Sequence, residues 1–278
     1  MERAFRRDPE EPFVASQSAL GTLLTCETKF KHRYIDLTPR DENWVSPTYF
    51  AFGSAFHEAL YLAKYNQALL TEDILLQVIS VNGLDWHNDG AKLRACLNTY
   101  FSSHTKQERF IATEVELFND EFVMYADAIF EDEGGHWYIV DMKTVGIKLD
   151  EMIRFKLKSD PQMCLYAAHA NEFAAKLGLD PSKFIGMSYR EIEKPRQRIK
   201  KGETHDEFVE RIGLTYYRET FLTLDMLNIE QTMFSLRSQL VRARSLRSDQ
   251  PTQNTNSCKR NGLVCEFWSS CHGAPYVT

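Results

Sequence analysis

Three stretches in the middle of the chain alternate apolar and polar residues with a period of two, and they restrict the fold more than any other feature. Residues 110–118, 121–130 and 136–144 are rich in β-branched and aromatic side chains, and an acidic turn at 131–135, ending in Gly134-Gly135, separates the last two. This series predicts a meander of three antiparallel strands. Helical spacing precedes it, first in a helix capped by Ser16 or Ser18 and running through Leu20, Leu23 and Leu24 toward Tyr34. It continues over 50–70, 72–81 and 91–104. After the strands the pattern predicts a helix over 161–177 and a strand over 184–193, in which Ile185, Met187 and Tyr189 alternate with polar neighbours. A polar, basic loop at 194–203 and a mostly helical run over 206–247 follow. A polar linker at 248–257 leads into a cysteine-containing tail, and no internal repeat is present. The expected fold class is α/β: a mixed sheet flanked by helices, with helical additions at both ends.

The strands carry an unusual set of charges. Asp127 sits in Tyr125-Ala126-Asp127-Ala128-Ile129, and Asp141 and Lys143 sit in Val140-Asp141-Met142-Lys143-Thr144. Residues two apart on a strand share a face, so Asp141 and Lys143 point the same way. The intervening hairpin can bring Asp127 beside Asp141. Two carboxylates in an apolar strand are costly unless a cation pairs with them. Mg²⁺ or Mn²⁺, which favour oxygen ligands, would do so. Such a site suits phosphodiester hydrolysis, where a metal activates water and neutralises charge while a lysine orients the water or stabilises the transition state. The bland alternative is a strand-edge ion pair between Asp141 and Lys143, with Asp127 capping a turn. His57, in the helical stretch 50–70, is either a ligand or a histidine facing the core.

Charge and cysteine usage narrow the classes. A net charge of −6 and a pI near 5.8 exclude a chain whose bulk charge coats nucleic acid. Basic groups are local: Lys29, Lys31 and Arg33; residues 194–201; and residues 237–247. Each also reads as a solvated helix face or loop. The apolar run 137–140 is far shorter than the ~20 residues of a membrane span, and residues 1–11 are charged where a signal peptide would be apolar. The expectation is a cytoplasmic protein with no membrane partner. No Gly-x-x-x-x-Gly-Lys-Ser/Thr loop is present, so ATP hydrolysis is not expected. Cys258-x6-Cys265-x5-Cys271, with Cys26 as a fourth thiolate, suits Zn²⁺ or a [4Fe–4S] cluster, against the alternative of a reduced tail without a ligand. Cys96 and Cys164 read as core residues.

These pieces together resemble the PD-(D/E)XK nuclease superfamily, in its RecB-like and Cas4-like branch. Residues 16–20 with Cys26 and Lys29-Phe30-Lys31 resemble the family's opening helix, and Gly53-Ser54-Ala55-Phe56-His57 resembles its Gly-x-x-x-His motif. Asp127 matches the first strand aspartate. Asp141-Met142-Lys143-Thr144 resembles Asp-Tyr-Lys-Thr, with Met in place of Tyr, and Gln162-Met163-Cys164-Leu165-Tyr166 resembles the Gln-x-x-x-Tyr helix. The resemblance implies that His57, Asp127, Asp141 and the backbone carbonyl of Met142 ligate a divalent metal, with Lys143 at the water or phosphate. It implies Gln162 and Tyr166 near the site and the DNA, and Glu114 in an outer shell or at a second metal. The Cas4-like and AddB-like relatives carry one upstream cysteine and a C-terminal trio around a cluster. This implies an iron–sulfur staple on Cys26, Cys258, Cys265 and Cys271, although the gap from Cys258 to Cys265 exceeds the usual two residues. It further implies one nuclease domain over 1–278: a helical part at 11–105, a catalytic core at 106–195, a helical part at 196–250 and the tail at 251–278. The implied activity is an exonuclease on single-stranded or double-stranded DNA ends in recombination, repair or phage DNA processing. Alternatives are a CRISPR-adaptation nuclease and a non-catalytic DNA-binding scaffold. A recombination or CRISPR-adaptation protein would be the partner.

Overall fold

The computed structural model describes residues 12–42, 44, 48–104, 107–146, 153–260 and 263–273, so the charged segment 1–11 lies outside the described residues. The chain divides into two compact units. The first comprises Met1–Val45, Leu117–Met124 and Glu230–Thr278; the second comprises Ser46–Glu116 and Tyr125–Ile229.

Helix α1 (Gln17–Thr25) opens at Ser16, whose side chain accepts from the Ala19 amide at 3.2 Å. The helix expected to reach Tyr34 is interrupted at Cys26, which is extended (φ −166°); α2 (Glu27–Phe30) and a π turn (Lys31–Ile35) complete the stretch. The helices α3 (Thr48–Leu62), α4 (Glu72–Val81) and α5 (Ala91–Ser103) follow. The three alternating stretches form β1 (Glu108–Phe118), β2 (Val123–Asp132) and β3 (Trp137–Val145). Beyond α6 (Ile153–Leu157), the helix expected over 161–177 splits at His169 (φ −110°, ψ 22°) into α7 (Pro161–Ala168) and α8 (Ala170–Leu177). Then come β4 (Phe184–Glu193), α9 (His205–Ile212), β5 (Tyr217–Leu222) and α10 (Ile229–Ser245). The short strands β6 (Lys259–Arg260) and β7 (Leu263–Val264) and α11 (Trp268–His272) end the described chain.

The main sheet has the order β1-β2-β3-β4-β5. Strands β2 and β3 are antiparallel, β3 and β4 parallel, and β4 and β5 antiparallel. It is the mixed sheet flanked by helices that the sequence implied. The helical part expected over 196–250 is corrected by β5. Cross-strand polar pairs tie that strand to β4, where Arg218 Nε donates to Glu191 at 2.6 Å and Ser188 Oγ donates to Glu219 at 2.7 Å, while Tyr217 and Phe221 pack against the core.

The core of the second unit lies on one face of the sheet. Ala128, Phe130, Tyr138, Val140 and Met142 pack there with Phe52, Phe56 and Leu60 of α3 and Leu93, Leu97 and Tyr100 of α5. Strand alternation therefore turns Asp141 and Lys143 to the opposite face. Among the described residues no helix is long and apolar enough to cross a membrane.

Candidate active site

Asp141 on β3 is fully buried. Its Oδ1 accepts from Lys143 Nζ at 2.8 Å, and its Oδ2 is buried without a hydrogen-bond partner. Burial pushes this carboxyl up to about 7; the Lys143 ammonium pulls it down and Asp127 pushes it further up. A buried carboxylate with one unsatisfied oxygen and a carboxylate neighbour calls for a second cation.

Asp127 supplies that neighbour. The register that sets Ala128 opposite Val140 carries Asp127 to the level of Asp141. Asp127 Oδ2 accepts from the Met142 amide at 2.8 Å and lies 3.6 Å from His57 Nδ1, which α3 brings in. The Asp127 backbone is fixed as well: its carbonyl accepts from Thr113 Oγ1 at 2.6 Å and from the Tyr65 hydroxyl at 3.5 Å. Next to Thr113, Glu114 has a left-handed backbone (φ +49°) inside β1, a conformation that costs on the order of 1 kcal/mol for a residue with a side chain. Ligand atoms of His57, Glu114 and Asp127 all lie within 4.8 Å of one another, the single such trio among the described residues.

A second chain of bonds holds the lysine. Lys143 Nζ donates to Gln162 Oε1 at 3.3 Å, Gln162 Nε2 donates to the Tyr166 hydroxyl at 2.9 Å, and that hydroxyl donates to the Tyr125 carbonyl. Asp160 caps α7, accepting from the amides of Gln162 and Met163 at 2.9 and 3.0 Å, so the helix start sets Gln162. Burial alone would discharge Lys143, but Asp141 and Asp127 hold its pKa above the ordinary lysine value. The ammonium is therefore permanent, on a side chain that keeps 38% exposure. Burial, Asp141 and Asp127 also raise Tyr166, which stays a hydrogen-bond donor.

The structure thus brings together His57, Glu114, Asp127, Asp141, Lys143, Gln162 and Tyr166. Glu114, implied in an outer shell or at a second metal, lies in the trio with His57 and Asp127. Met142 enters through its amide, which bonds Asp127. Thr113, Tyr65 and Asp160 were not singled out from sequence. Asp160-Pro161 is a readable helix start, whereas Thr113 and Tyr65 carry no local signal. The donor set of carboxylate oxygens, one imidazole and the unsatisfied Asp141 Oδ2 fits a divalent cation such as Mg²⁺ or Mn²⁺.

The four cysteines belong to the first unit. Cys26 and Cys258 are buried, and Cys265 and Cys271 partly so. Burial pushes the Cys271 thiol up to about 11, with Cys265, Cys258 and Cys26 adding to the effect, so the four sulfurs lie within electrostatic reach of one another. The Cys265 amide also donates to the Cys258 carbonyl at 2.8 Å. No three of these sulfurs lie within 4.8 Å of one another. Four thiolates on one tetrahedral zinc would lie about 3.8 Å apart.

A family model described as the PD-(D/E)XK nuclease superfamily matches residues 14–272. A crystal structure from Eubacterium rectale, described as "Putative exonuclease", is similar over 95% of this chain and 89% of its own, at 14% identity and a TM-score of 0.51. That likeness is one of fold. No curated protein matches the chain.

Proposed function

The chain belongs to the PD-(D/E)XK nuclease superfamily, and from that premise we propose that it is a metal-dependent DNA nuclease acting at the group around Asp141. The observation that carries the reading is the fully buried Asp141, with Oδ1 on Lys143 and Oδ2 unsatisfied, beside the trio His57, Glu114 and Asp127. An isolated structural ion pair would not gather three further ligand groups beside it. In this reading the trio and Asp141 hold Mg²⁺ or Mn²⁺, which supplies Lewis-acid charge neutralisation at the phosphodiester. Lys143 presents a fixed positive charge to the scissile phosphate or the attacking water, and Gln162 and Tyr166 set its position. Asp127 and His57 orient one another, and the Met142 amide fixes Asp127.

Exonucleolytic action on DNA ends, in recombination, repair or phage DNA processing, is the finer part of the proposal. The test is hydrolysis of end-labelled linear DNA and of a closed circle with Mg²⁺ or Mn²⁺. Cleavage of the linear form alone, lost in Asp141→Ala and Lys143→Ala, supports it. A wild type that binds DNA and never cuts it sinks it. The cysteines hold a [4Fe–4S] cluster in the same reading, supported by their mutual electrostatic reach in one unit. Anaerobic purification, an absorption spectrum and metal analysis test this: about four irons per chain are expected, and zinc alone would overturn it.

A further inference from the structure

The proposed active site lies where β3 and β4 end together. Val145 is paired with Glu193 in the parallel register, and the Lys194 amide donates to the Val145 carbonyl at 2.8 Å. The basic segment 194–201 therefore leaves the sheet two residues beyond Lys143. Its first side chain turns back over α3, where Lys194 Nζ sits 3.7 Å from the centroid of the Phe52 ring. The next residue of α3, Gly53, abuts Thr144: a Cβ at Gly53 would lie 3.5 Å from Thr144 Oγ1. Helix α3 thus runs along the edge of the site.

The outer face of α3 is not that of an ordinary solvated helix. Phe50, Ser54 and His57 share one face by their spacing of four and three. Phe50 is 59% exposed and its neighbour Tyr49 is 56% exposed, and their rings lie against each other at 4.3 Å between centroids. Seven residues of helix separate Phe50 from His57, about 10 Å along the axis. Large rings so exposed, tilted 44° to each other on the helix that carries His57, offer apolar ring faces where unpaired bases can stack.

The basic segment after β4 is short of ion-pair partners. Arg198, Lys200 and Lys201 have no ion-pair partner among the described residues, and Lys194 reaches Asp89 alone, at 3.3 Å. Lys92, on the first turn of α5, is buried to 9% exposure with no hydrogen bond or ion pair among the described residues. Burial depresses its pKa, and Lys194 and Arg198 depress it further against the pull of Asp89. Lys194 and Arg198 therefore both repel the Lys92 ammonium in a chain of net charge −6, an arrangement that an anion would relieve.

We propose that this end of the sheet is a track for single-stranded DNA, in which Lys92, Lys194 and Arg198 receive backbone phosphates and the rings of Tyr49 and Phe50 stack unpaired bases. The proposal rests on the nuclease reading and names its substrate class: an unpaired strand delivered to Lys143 and Asp141. Positive grooves joined to aromatic platforms are how proteins hold single strands without reading sequence.

The test is fluorescence anisotropy in EDTA, with a labelled short oligothymidylate and a blunt hairpin duplex as probes. Tyr49→Ala and Phe50→Ala are expected to weaken single-strand binding about tenfold and to leave duplex binding unchanged. Lys194→Gln and Arg198→Gln are each expected to lower the salt slope of single-strand binding by about 0.7. Unchanged single-strand affinity in Tyr49→Ala and Phe50→Ala, or an equal loss on the duplex, overturns the track. Hydrolysis of bis-p-nitrophenyl phosphate with Mn²⁺ reports on the nuclease reading separately, because this small diester needs no track. Wild type is expected to cleave it and Asp141→Ala to lose that cleavage; a wild type that does not cleave it overturns the nuclease reading, whereas the track stands or falls on the anisotropy.

Discussion

Asp141 is a residue the fold tolerates at a cost. Its Oδ2 is buried and unsatisfied, and burial raises its pKa. Asp141→Asn is therefore expected to stabilise the metal-free chain by about 1 kcal/mol, read by urea unfolding in EDTA, while lowering hydrolysis by about two to three orders of magnitude. A variant that loses stability and keeps its activity would place the chemistry elsewhere. Glu114 makes a sharper case, since its left-handed backbone is retained inside a strand. Glu114→Gln is expected to weaken Mn²⁺ binding about tenfold by calorimetry, whereas Glu114→Gly should relieve the strain and still lose the metal. Unchanged Mn²⁺ affinity in both would remove Glu114 from the ligand set. The two residues also mark what the sequence could say. Asp127, Asp141 and Lys143 were legible because strand periodicity of two fixes which residues share a face. Glu114 came only with the family resemblance, as an outer-shell group or at a second metal, because a left-handed residue breaks that count and nothing in the sequence announces the break.

At the scale of elements, the strand absent from the sequence reading explains its own invisibility. In β5, Arg218 pairs with Glu191, and Glu219 meets Ser188 and Arg190, so two charges interrupt the short run in which Tyr217 and Phe221 pack on the core. The helix opened at Ser16 was readable from its cap, and α4 and α7 from their helical spacing, whereas β5 depends on tertiary pairing. Its docking depends on Gly186, whose φ is +140° and where a Cβ would meet the Leu222 carbonyl oxygen at 2.2 Å. Gly186→Ala is expected to cost about 3 kcal/mol or more, seen as a lowered thermal midpoint. An unchanged midpoint would mean β5 is not held at that distance. The same strands enclose Arg190, fully buried and bonded to Glu108 and Glu219. Burial would raise the Glu108 pKa, but the bonds from His104, Arg190 and Tyr138 and the Arg190 charge bring it down to about 2. A depressed carboxyl contributes its stability above the unfolded value of 4.5 and loses it as pH falls toward 2. Wild type should therefore lose on the order of 3 kcal/mol across that window, and Glu108→Gln, less stable at neutral pH, should lose much less. Parallel acid-unfolding curves would refute the assignment.

At the scale of the whole molecule, the trio His57, Glu114 and Asp127 and the four cysteines occupy different compact units, which sets up an experiment that can separate them. A metal tie between Cys26 and the tail closes a loop over most of the sequence, from residue 26 to residue 258. In a chain-entropy account a cross-link closing so long a loop removes about 5 kcal/mol of freedom from the unfolded ensemble. Cys258→Ser is therefore expected to lose its iron and to release the tail to proteolysis at lower temperature. His57, Glu114, Asp127 and Asp141, the proposed ligands of the divalent cation, all lie in the other unit, so Mn²⁺ affinity should be retained while the folded form persists. The cysteine spacing alone left zinc, a cluster and a bare tail open, because spacing fixes the number of thiolates but not how far folding spreads them. If Cys258→Ser kept its iron, the staple would be wrong. If it lost iron and Mn²⁺ affinity together in a chain still folded by circular dichroism, the two sites would be one cooperative system, and the nuclease group could not be understood from its own ligands.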